Sequence, residues 1–423
     1  MNNTPQNTLI GFNTERASDF IITACLFIFL ILSVSFHGSY KFSGILILFS
    51  YILFTLPTIR KSLYLNRSHI IFIVGCMLYI ASMLSELLIH KEEFREFDPA
   101  SKVFLFAPFL FLLCRLESKQ LIIPIGFAIG SIVLFLIAFY ERNIMDIPRS
   151  GGGINPIQFG NTASVMGLIS FFLIKSLTNE KKKALIFLLI IGGISGLSAS
   201  FLSLSRGGWI IIPIGIFLLG FQYKDSIIKY PKKTLIALII TFITVTTIIS
   251  QTNITPRIEM ISTDIHKFSQ GDNSTSTGQR LAMWKVAFEI FISSPIVGVG
   301  KSVYLHTQQQ KADNGEIAIQ LKKYNHAHNA YFDTAARRGI IGLVGLLSLL
   351  FTPFLIAWRN LNSTNTRIKA YAYSLVILSL SFSSYNLTQS MFNHNSGIIM
   401  FTMFMIILIS GLNAEKSVSC SQS

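Results

Sequence analysis

The sequence predicts an all-α fold: a polytopic integral membrane protein with about 12 transmembrane helices and one large extramembrane loop containing amphipathic helices. Three observations lead there. Of the 423 residues, 51% are hydrophobic and only 13% charged, with 36 Phe, far from the balance of a soluble domain. Apolar runs long enough, or nearly so, to cross a bilayer core recur along the chain. Lys and Arg are distributed unevenly between the connections that join those runs.

The runs lie at roughly 20–36, 43–59, 69–89, 103–114, 120–140, 161–174, 184–205, 207–221, 234–250, 339–358, 370–385 and 395–412. The first should persist as a helix, because "MNNTPQNTLIGFNTERASDF" has neither a basic n-region nor a small-residue cleavage site. The runs at 103–114 and 161–174 fall short of the ideal span of about 20 residues. In "SLSRGGW" the seventh and eighth spans nearly touch. Placing the N-terminus inside gathers eighteen Lys and Arg on short cytoplasmic connections, against seven on the opposite side. That bias predicts both termini in the cytoplasm.

The chain then divides into 1–250 (transmembrane helices 1–9), 251–338 (a long loop on the outer face) and 339–423 (helices 10–12 and a cytoplasmic tail), all one membrane domain. Within the loop, "SQGDNSTSTGQR" has no apolar period and reads as a flexible connector. The following "GQRLAMWKVAFEIFISSP" puts Leu281, Trp284, Ala287, Phe288 and Phe291 at helical spacing, and Pro295 ends the run. This predicts an amphipathic helix against the membrane surface. A second should carry "AIQLKKYNHAHNAYFDTAARR" into the tenth span. No internal repeat of fixed period is present.

Several function classes are disfavoured. Cys25, Cys76 and Cys114 lie in apolar segments and Cys420 in the polar tail, so neither a disulfide framework nor a Cys-based zinc site is expected. The formal charge of +15 fits Lys and Arg retained on the cytoplasmic side better than nucleic-acid binding. The outer loops contain no Asp-x-Asp or His-x-x-x-His pattern, so no metal and no cofactor is expected. The acidic stretch "HKEEFREFD" is interleaved with Lys91 and Arg95 and reads as a solvated, charge-balanced face. Few ionisable groups lie in the spans, Glu86 being the main exception, which argues against a proton-coupled transporter.

Polar chemistry concentrates in "KKYNHAHNAYFDTAARRGIIGLVGLL", from Lys322 to Leu347. Two readings fit it. In one, His, Tyr and Asn form a belt at headgroup depth while Arg337 and Arg338 snorkel toward phosphates. In the other, neutral His328 accepts a proton from a hydroxyl nucleophile, with His326, facing differently, as the weaker candidate. On a helix, His328 shares a face with Phe332 and lies too far round to pair with Asp333. Arg206, followed by Gly207 and Gly208, and Arg280, opening the amphipathic helix, together resemble a phosphate or diphosphate clamp. Headgroup anchoring and an ordinary solvated helix start are the respective alternatives. Arg149, in "RNIMDIPRSGGGINPIQFGN", would add a third positive group, or simply belong to a turn. The last outer connection, "SYNLTQSMFNHNSG", brings Tyr385, Asn386, Gln389, Asn393 and His394 to the same face, as side chains suited to sugar hydroxyls or to water.

These residues resemble the lipopolysaccharide O-antigen ligases of Gram-negative inner membranes, within the wider group that includes O-antigen polymerases and pilin oligosaccharyltransferases. The resemblance covers the layout of spans and loop. It also covers the His-[Asn/Ser/Gln]-x9-Gly-x-x-Gly pattern in "HNAYFDTAARRGIIG", the arginine before a Trp-containing helix at Arg280, and the Arg206 loop. Leu343 departs from the family's usual Thr or Val after the last glycine. The resemblance implies a metal-independent, inverting glycosyltransferase of the GT-C type. It would move O-polysaccharide from undecaprenyl diphosphate to a sugar hydroxyl of the lipid A core, with the loop and active site facing the periplasm. His328 would be the general base and Arg206 and Arg280 the diphosphate clamp. Asn329, Arg149, Arg338, His326 and His394 complete the candidate set for binding substrate. The alternatives are an O-antigen polymerase or a protein-directed oligosaccharyltransferase using the same donor, or a flippase or other transporter that binds diphosphate without chemistry.

Overall fold

A computed structural model describes residues 6–32, 65–113, 121–177, 182–232 and 275–421, with positions 44, 266 and 270 besides. The described residues form twelve α-helices and no strand. In chain order they are α1 (Gln6–Leu32), α2 (Arg67–His90), α3 (Asp98–Leu113), α4 (Ile122–Asn143), α5 (Pro156–Leu173) and α6 (Lys183–Leu202), followed by α7 (Ile211–Lys229), α8 (Ser276–Ser293), α9 (Gly300–Asp313), α10 (Ala330–Trp358), α11 (Thr366–Tyr385) and α12 (Asn395–Ser421). Among the described residues, seven helical stretches are long and apolar enough to cross a membrane. The protein is therefore an all-α, multi-pass membrane protein. The predicted spans at 43–59 and 234–250, and most of the connector before Thr275, lie outside the described residues.

The interior is organised around α12. Its sequence is apolar on every side, and a helix of that kind has to be enclosed. Residues from Ile398 to Leu412 are almost entirely buried, and α3, α5 and α11 pack on it. Close helix pairs use small residues, which lets backbones approach where apolar burial alone cannot drive association. At the α5–α6 crossing, a Cβ on Gly196 would strike the backbone of Ala163 and Gly167. Phe20, Val74, Met77, Phe187 and Phe217 point outward, as lipid-facing positions do.

Outside this bundle α8, α9, the 3₁₀ turn Ile319–Lys323 and the start of α10 share a second core. The amphipathic helix predicted from Arg280 onward is α8, but its buried face is Ala282, Met283, Val286, Ala287 and Ile290. The larger residues of the predicted stripe sit at its edge, Phe288 remaining 49% exposed. The small side chains face inward because α8 docks tightly on α10, whose Ala336 belongs to the same cluster.

Helix α10 begins at Ala330, upstream of the predicted span at 339–358, and is interrupted at Gly339 (φ 60°, ψ −151°). The segment after α8 crosses that interruption. Ile340 N–H donates to the carbonyl of Pro295 (2.8 Å), and Val299 N–H donates to Ala336 (3.0 Å). The break thus exchanges helical hydrogen bonds for bonds that anchor the segment between α8 and α9.

Candidate active site

The residues before α10 set the site. Asn329 is the N-cap, its side chain accepting from the Tyr331 and Phe332 amides (2.9 and 3.2 Å). His328 therefore precedes the helix rather than lying on it, and it does not share a face with Phe332, which stacks on Trp284 instead. His328 takes φ 51°, a left-handed conformation uncommon outside glycine. Its neighbour Ala327 is pinned from both sides: the amide donates to Asp333 Oδ1 (3.2 Å) and the carbonyl accepts from Trp284 Nε1 (3.0 Å). From the other flank the Ala330 amide and Asn329 Nδ2 donate to the carbonyls of Asn386 and Leu387 (2.8 and 3.1 Å). The connection between α11 and α12 is thereby locked to the histidine.

That connection supplies Gln389, a buried amide between two imidazoles. Its Oε1 lies 2.6 Å from His328 Nδ1 and its Nε2 3.1 Å from His394 Nε2. With the amide so oriented, His328 donates from Nδ1 and keeps Nε2 as a lone-pair site. The His326 ring lies tilted 4.3 Å from His328 and edge-on 6.0 Å from His394, and Tyr324 meets His328 edge-on at 5.0 Å. Burial pulls the His328 pKa below its ordinary value, and the Arg280 charge adds to this against the opposing hydrogen bond from Gln389. Burial likewise lowers His394, and brings His326 down to about 4. All three rings are held toward the neutral form, as proton acceptors must be.

Arg280 follows the Thr275 N-cap and is substantially buried from solvent by the loop. Burial and the charge of Arg206 both disfavour its cation, and Tyr324 favours it. The charge of Arg280 reaches His328 and that of Arg206 reaches Arg280, although Arg206 comes from the 3₁₀ turn Arg206–Gly208 after α6. Such a pair has a strong affinity for a polyanion. Arg149 lies against the same turn, its Nε donating to the Ser203 carbonyl (3.4 Å). Arg206, Arg280, His328, His326, His394 and Asn329 therefore converge at one end of the bundle, with Arg149 behind the Arg206 turn.

Arg338 lies elsewhere. It is buried, with Nε 3.6 Å from Glu86 Oε2, and its guanidinium contacts Met83 and Thr334. Arg337 bonds Glu86 Oε1 (2.9 Å) and Glu96 Oε2 (2.8 Å) and lies 3.6 Å from Asp333. Neither arginine snorkels toward headgroups; both neutralise carboxylates inside the protein. "HKEEFREFD" is a solvated face at Lys91, Glu93, Arg95 and Asp98, but not at Glu92 and Glu96, which turn inward. Glu96 also takes Lys301 Nζ (2.7 Å), and Glu92 takes the Ser302 amide and hydroxyl (2.8 and 2.7 Å). Although burial opposes it, Arg337 and Lys301 hold the Glu96 pKa below the usual carboxylate range.

Beside the histidines a cavity of about 610 Å³ opens, walled by His326, His394, Asn393, Arg337 and Gln158 among others. Gln158 was not evident as a site residue from sequence, and nothing local marks it; it enters through the first turn of α5. Among the described residues no set of three His, Cys, Asp or Glu side chains converges as metal ligands.

Residues 191–347 match a family model described as O-antigen ligase. The matched segment contains Arg206, Arg280 and His328. A Haemophilus influenzae protein described as uncharacterized is 25% identical over 396 residues, covering 93% of this chain and 99% of its own length. A protein of Escherichia coli K12, described as O-antigen ligase, is 26% identical over 273 residues, 62% of each chain.

Proposed function

We propose that this protein acts as the O-antigen ligases do whose family model matches residues 191–347, as a membrane glycosyltransferase that moves O-polysaccharide from undecaprenyl diphosphate to a sugar hydroxyl of lipid A–core. The observation that carries this reading is an imidazole oriented by Gln389 within reach of the Arg280 charge, which the Arg206 charge reaches in turn from a separate element.

His328 Nε2 takes the proton of the acceptor hydroxyl as its oxygen attacks the anomeric carbon. The bond from that carbon to the diphosphate oxygen breaks, and Arg206 and Arg280 stabilise the negative charge that accumulates on the departing diphosphate. Attack from the face opposite the leaving group inverts the anomeric centre. Charge neutralisation rests on arginine, so no metal is required. The lipid anchor of the donor places the diphosphate at the membrane edge. The outer end of the bundle would then face the periplasm of a Gram-negative inner membrane. Asn329 acts by capping α10 and fastening the Gln389 connection, and Arg149 by supporting the Arg206 turn.

The test is a lipopolysaccharide gel of a ligase-null, O-antigen-producing strain carrying the wild type, His328→Ala or Arg280→Ala at matched membrane levels. Wild type should restore the polymer ladder, and each variant should leave bare core, since loss of one such group typically costs about 10²–10³ in rate. A full ladder from His328→Ala would remove the base assignment. If a polymerase-null strain is restored instead, the protein elongates the chain on its carrier and the ligase reading fails.

A further inference from the structure

The cavity beside the histidines lies on the side of the site away from the arginine clamp. Neither Arg206 nor Arg280 contributes to its wall, while His326 and His394, the two rings grouped with His328, do. Two of its three cations are engaged within the protein, Arg337 and Lys301 both bonding Glu96 (2.8 and 2.7 Å), and the third, Arg95, is exposed and shares the wall with Glu93 and Asp98. The uncharged donors and acceptors of the wall are Gln158, Asn325, His326, Asn393, His394 and Ser396, among others. Such side chains suit a polyol, and the wall's three cations, Arg95, Lys301 and Arg337, are matched by three carboxylates, Glu93, Glu96 and Asp98, so it offers no net positive charge to a phosphate.

Gln158 is the informative member. It is 1% exposed, and neither Oε1 nor Nε2 has a hydrogen-bond partner in the protein, although both atoms are buried. Leaving a primary amide in that state costs free energy, which a bound hydroxyl group would recover. The amide is also rigidly presented. The Asn155 cap and Pro156 start its helix, Thr162 Oγ1 bonds its carbonyl (2.8 Å), and its Oε1 rests against Gly397 at the start of α12.

We propose that this cavity is the subsite for the acceptor saccharide, and that the Gln158 side-chain amide reads a hydroxyl of the accepting sugar. The assignment rests on the ligase reading above. In a displacement with inversion, the acceptor approaches opposite the leaving diphosphate. The base then stands between them, with the acceptor chamber on one side and the guanidiniums on the other. Gln158 is a specificity-determining residue here; it moves no proton, and its hydrogen bonds discriminate between acceptors with and without the matching hydroxyl.

The experiment is steady-state transfer by the purified full-length protein in lipid nanodiscs, with undecaprenyl-diphosphate-linked O-polysaccharide and purified lipid A–core varied in turn. Gln158→Leu keeps the volume and removes both hydrogen-bonding atoms. It should raise the KM for lipid A–core about tenfold, with the donor KM and the kcat at saturating acceptor changed less than about twofold. Glu93→Trp, at the exposed rim and without a capping role for its side chain, should shift the acceptor KM in the same direction, and it decides the matter should Gln158→Leu fold poorly. An unchanged acceptor KM in the folded variants, or an equal rise for the donor, overturns the assignment while the ligase reading stands. No transfer by wild type removes the ligase reading and the assignment with it.

Discussion

His328 sits in a left-handed backbone conformation, and the bonds on either side of it explain how that conformation is held: Ala327 is tied to Asp333 and Trp284, and Ala330 to Asn386. The side chain is then aimed by Gln389, a neutral amide. A carboxylate at this position would favour the imidazolium; the amide orients the ring and leaves it neutral. Because burial holds the His328 pKa below its ordinary 6.5, the acid limb of kcat/KM should lie below pH 6.5, with rate lost only as pH falls and the ring protonates. Gln389→Leu removes both the aim and the bond that favours the proton. In that variant kcat should fall about 10–100-fold while the acid limb moves to still lower pH. A pH profile separates this from general damage, which would lower the rate without moving the limb. His328 and Arg280 stand out in sequence as isolated polar groups beside apolar runs. Gln389 was only one of several polar side chains in its connection, because its role depends on a partner 61 positions away.

At the scale of elements, the interruption of α10 gives the "x9-Gly" spacing a physical reason. Gly339 has φ +60° and its missing Cβ would lie on the backbone of Ile296; Gly298 has φ +68° and its Cβ would lie on the backbone joining Arg337 and Arg338. Two chains cross there without side chains between them, and the crossing holds α8, hence Arg280, against the start of α10, hence His328. Three substitutions isolate the causes. Gly220 has open space and no left-handed φ, so Gly220→Ala should be neutral or stabilising by up to about 1 kcal/mol. Gly315 has open space but φ +75°, so Gly315→Ala should cost about 1–3 kcal/mol through strain alone. Gly339→Ala adds a backbone collision to that strain and should be the worst of the three, with a clear loss of Tm and of transfer activity. Thermal unfolding in detergent checks the order; equal Tm for Gly315→Ala and Gly339→Ala would mean that the crossing is not tight. The sequence predicts a second helix running from Ala318 into the tenth span. The structure has only the 3₁₀ turn Ile319–Lys323 at its start, and the helix begins at Ala330 and runs on through Gly339, across which hydrogen bonds to Pro295 and Ile296 carry the chain.

For the whole molecule, legibility followed whether a feature is local. The run at 69–89 became Arg67–His90 and that at 395–412 became Asn395–Ser421, since a long apolar stretch has few alternatives to a buried or membrane-spanning helix. The burial of Arg337 and Arg338 was not legible, because their carboxylate Glu86 lies 251 residues from Arg337 in sequence and on another helix. Those ion pairs tie α2 and its following connection to the outer loop and α10, so the end of the bundle that carries the site is closed by charge as well as by packing. Which side of the membrane that end faces rests on the Lys and Arg bias, and the structure supplies two positions that test it. Asn314, in the turn after α9, and Asn362, in the turn between α10 and α11, are both exposed, and α10 spans the bundle between their ends. With Cys25, Cys76, Cys114 and Cys420 replaced, Asn314→Cys should react with a membrane-impermeant maleimide in whole cells whose outer membrane has been made leaky. Asn362→Cys should react only after the inner membrane is opened. With the N-terminus inside, the cytoplasmic connections would carry eighteen basic residues against seven outside, and positive charge in short loops resists translocation; the reverse labelling pattern would require the site to face the cytoplasm, away from any acceptor in the periplasm.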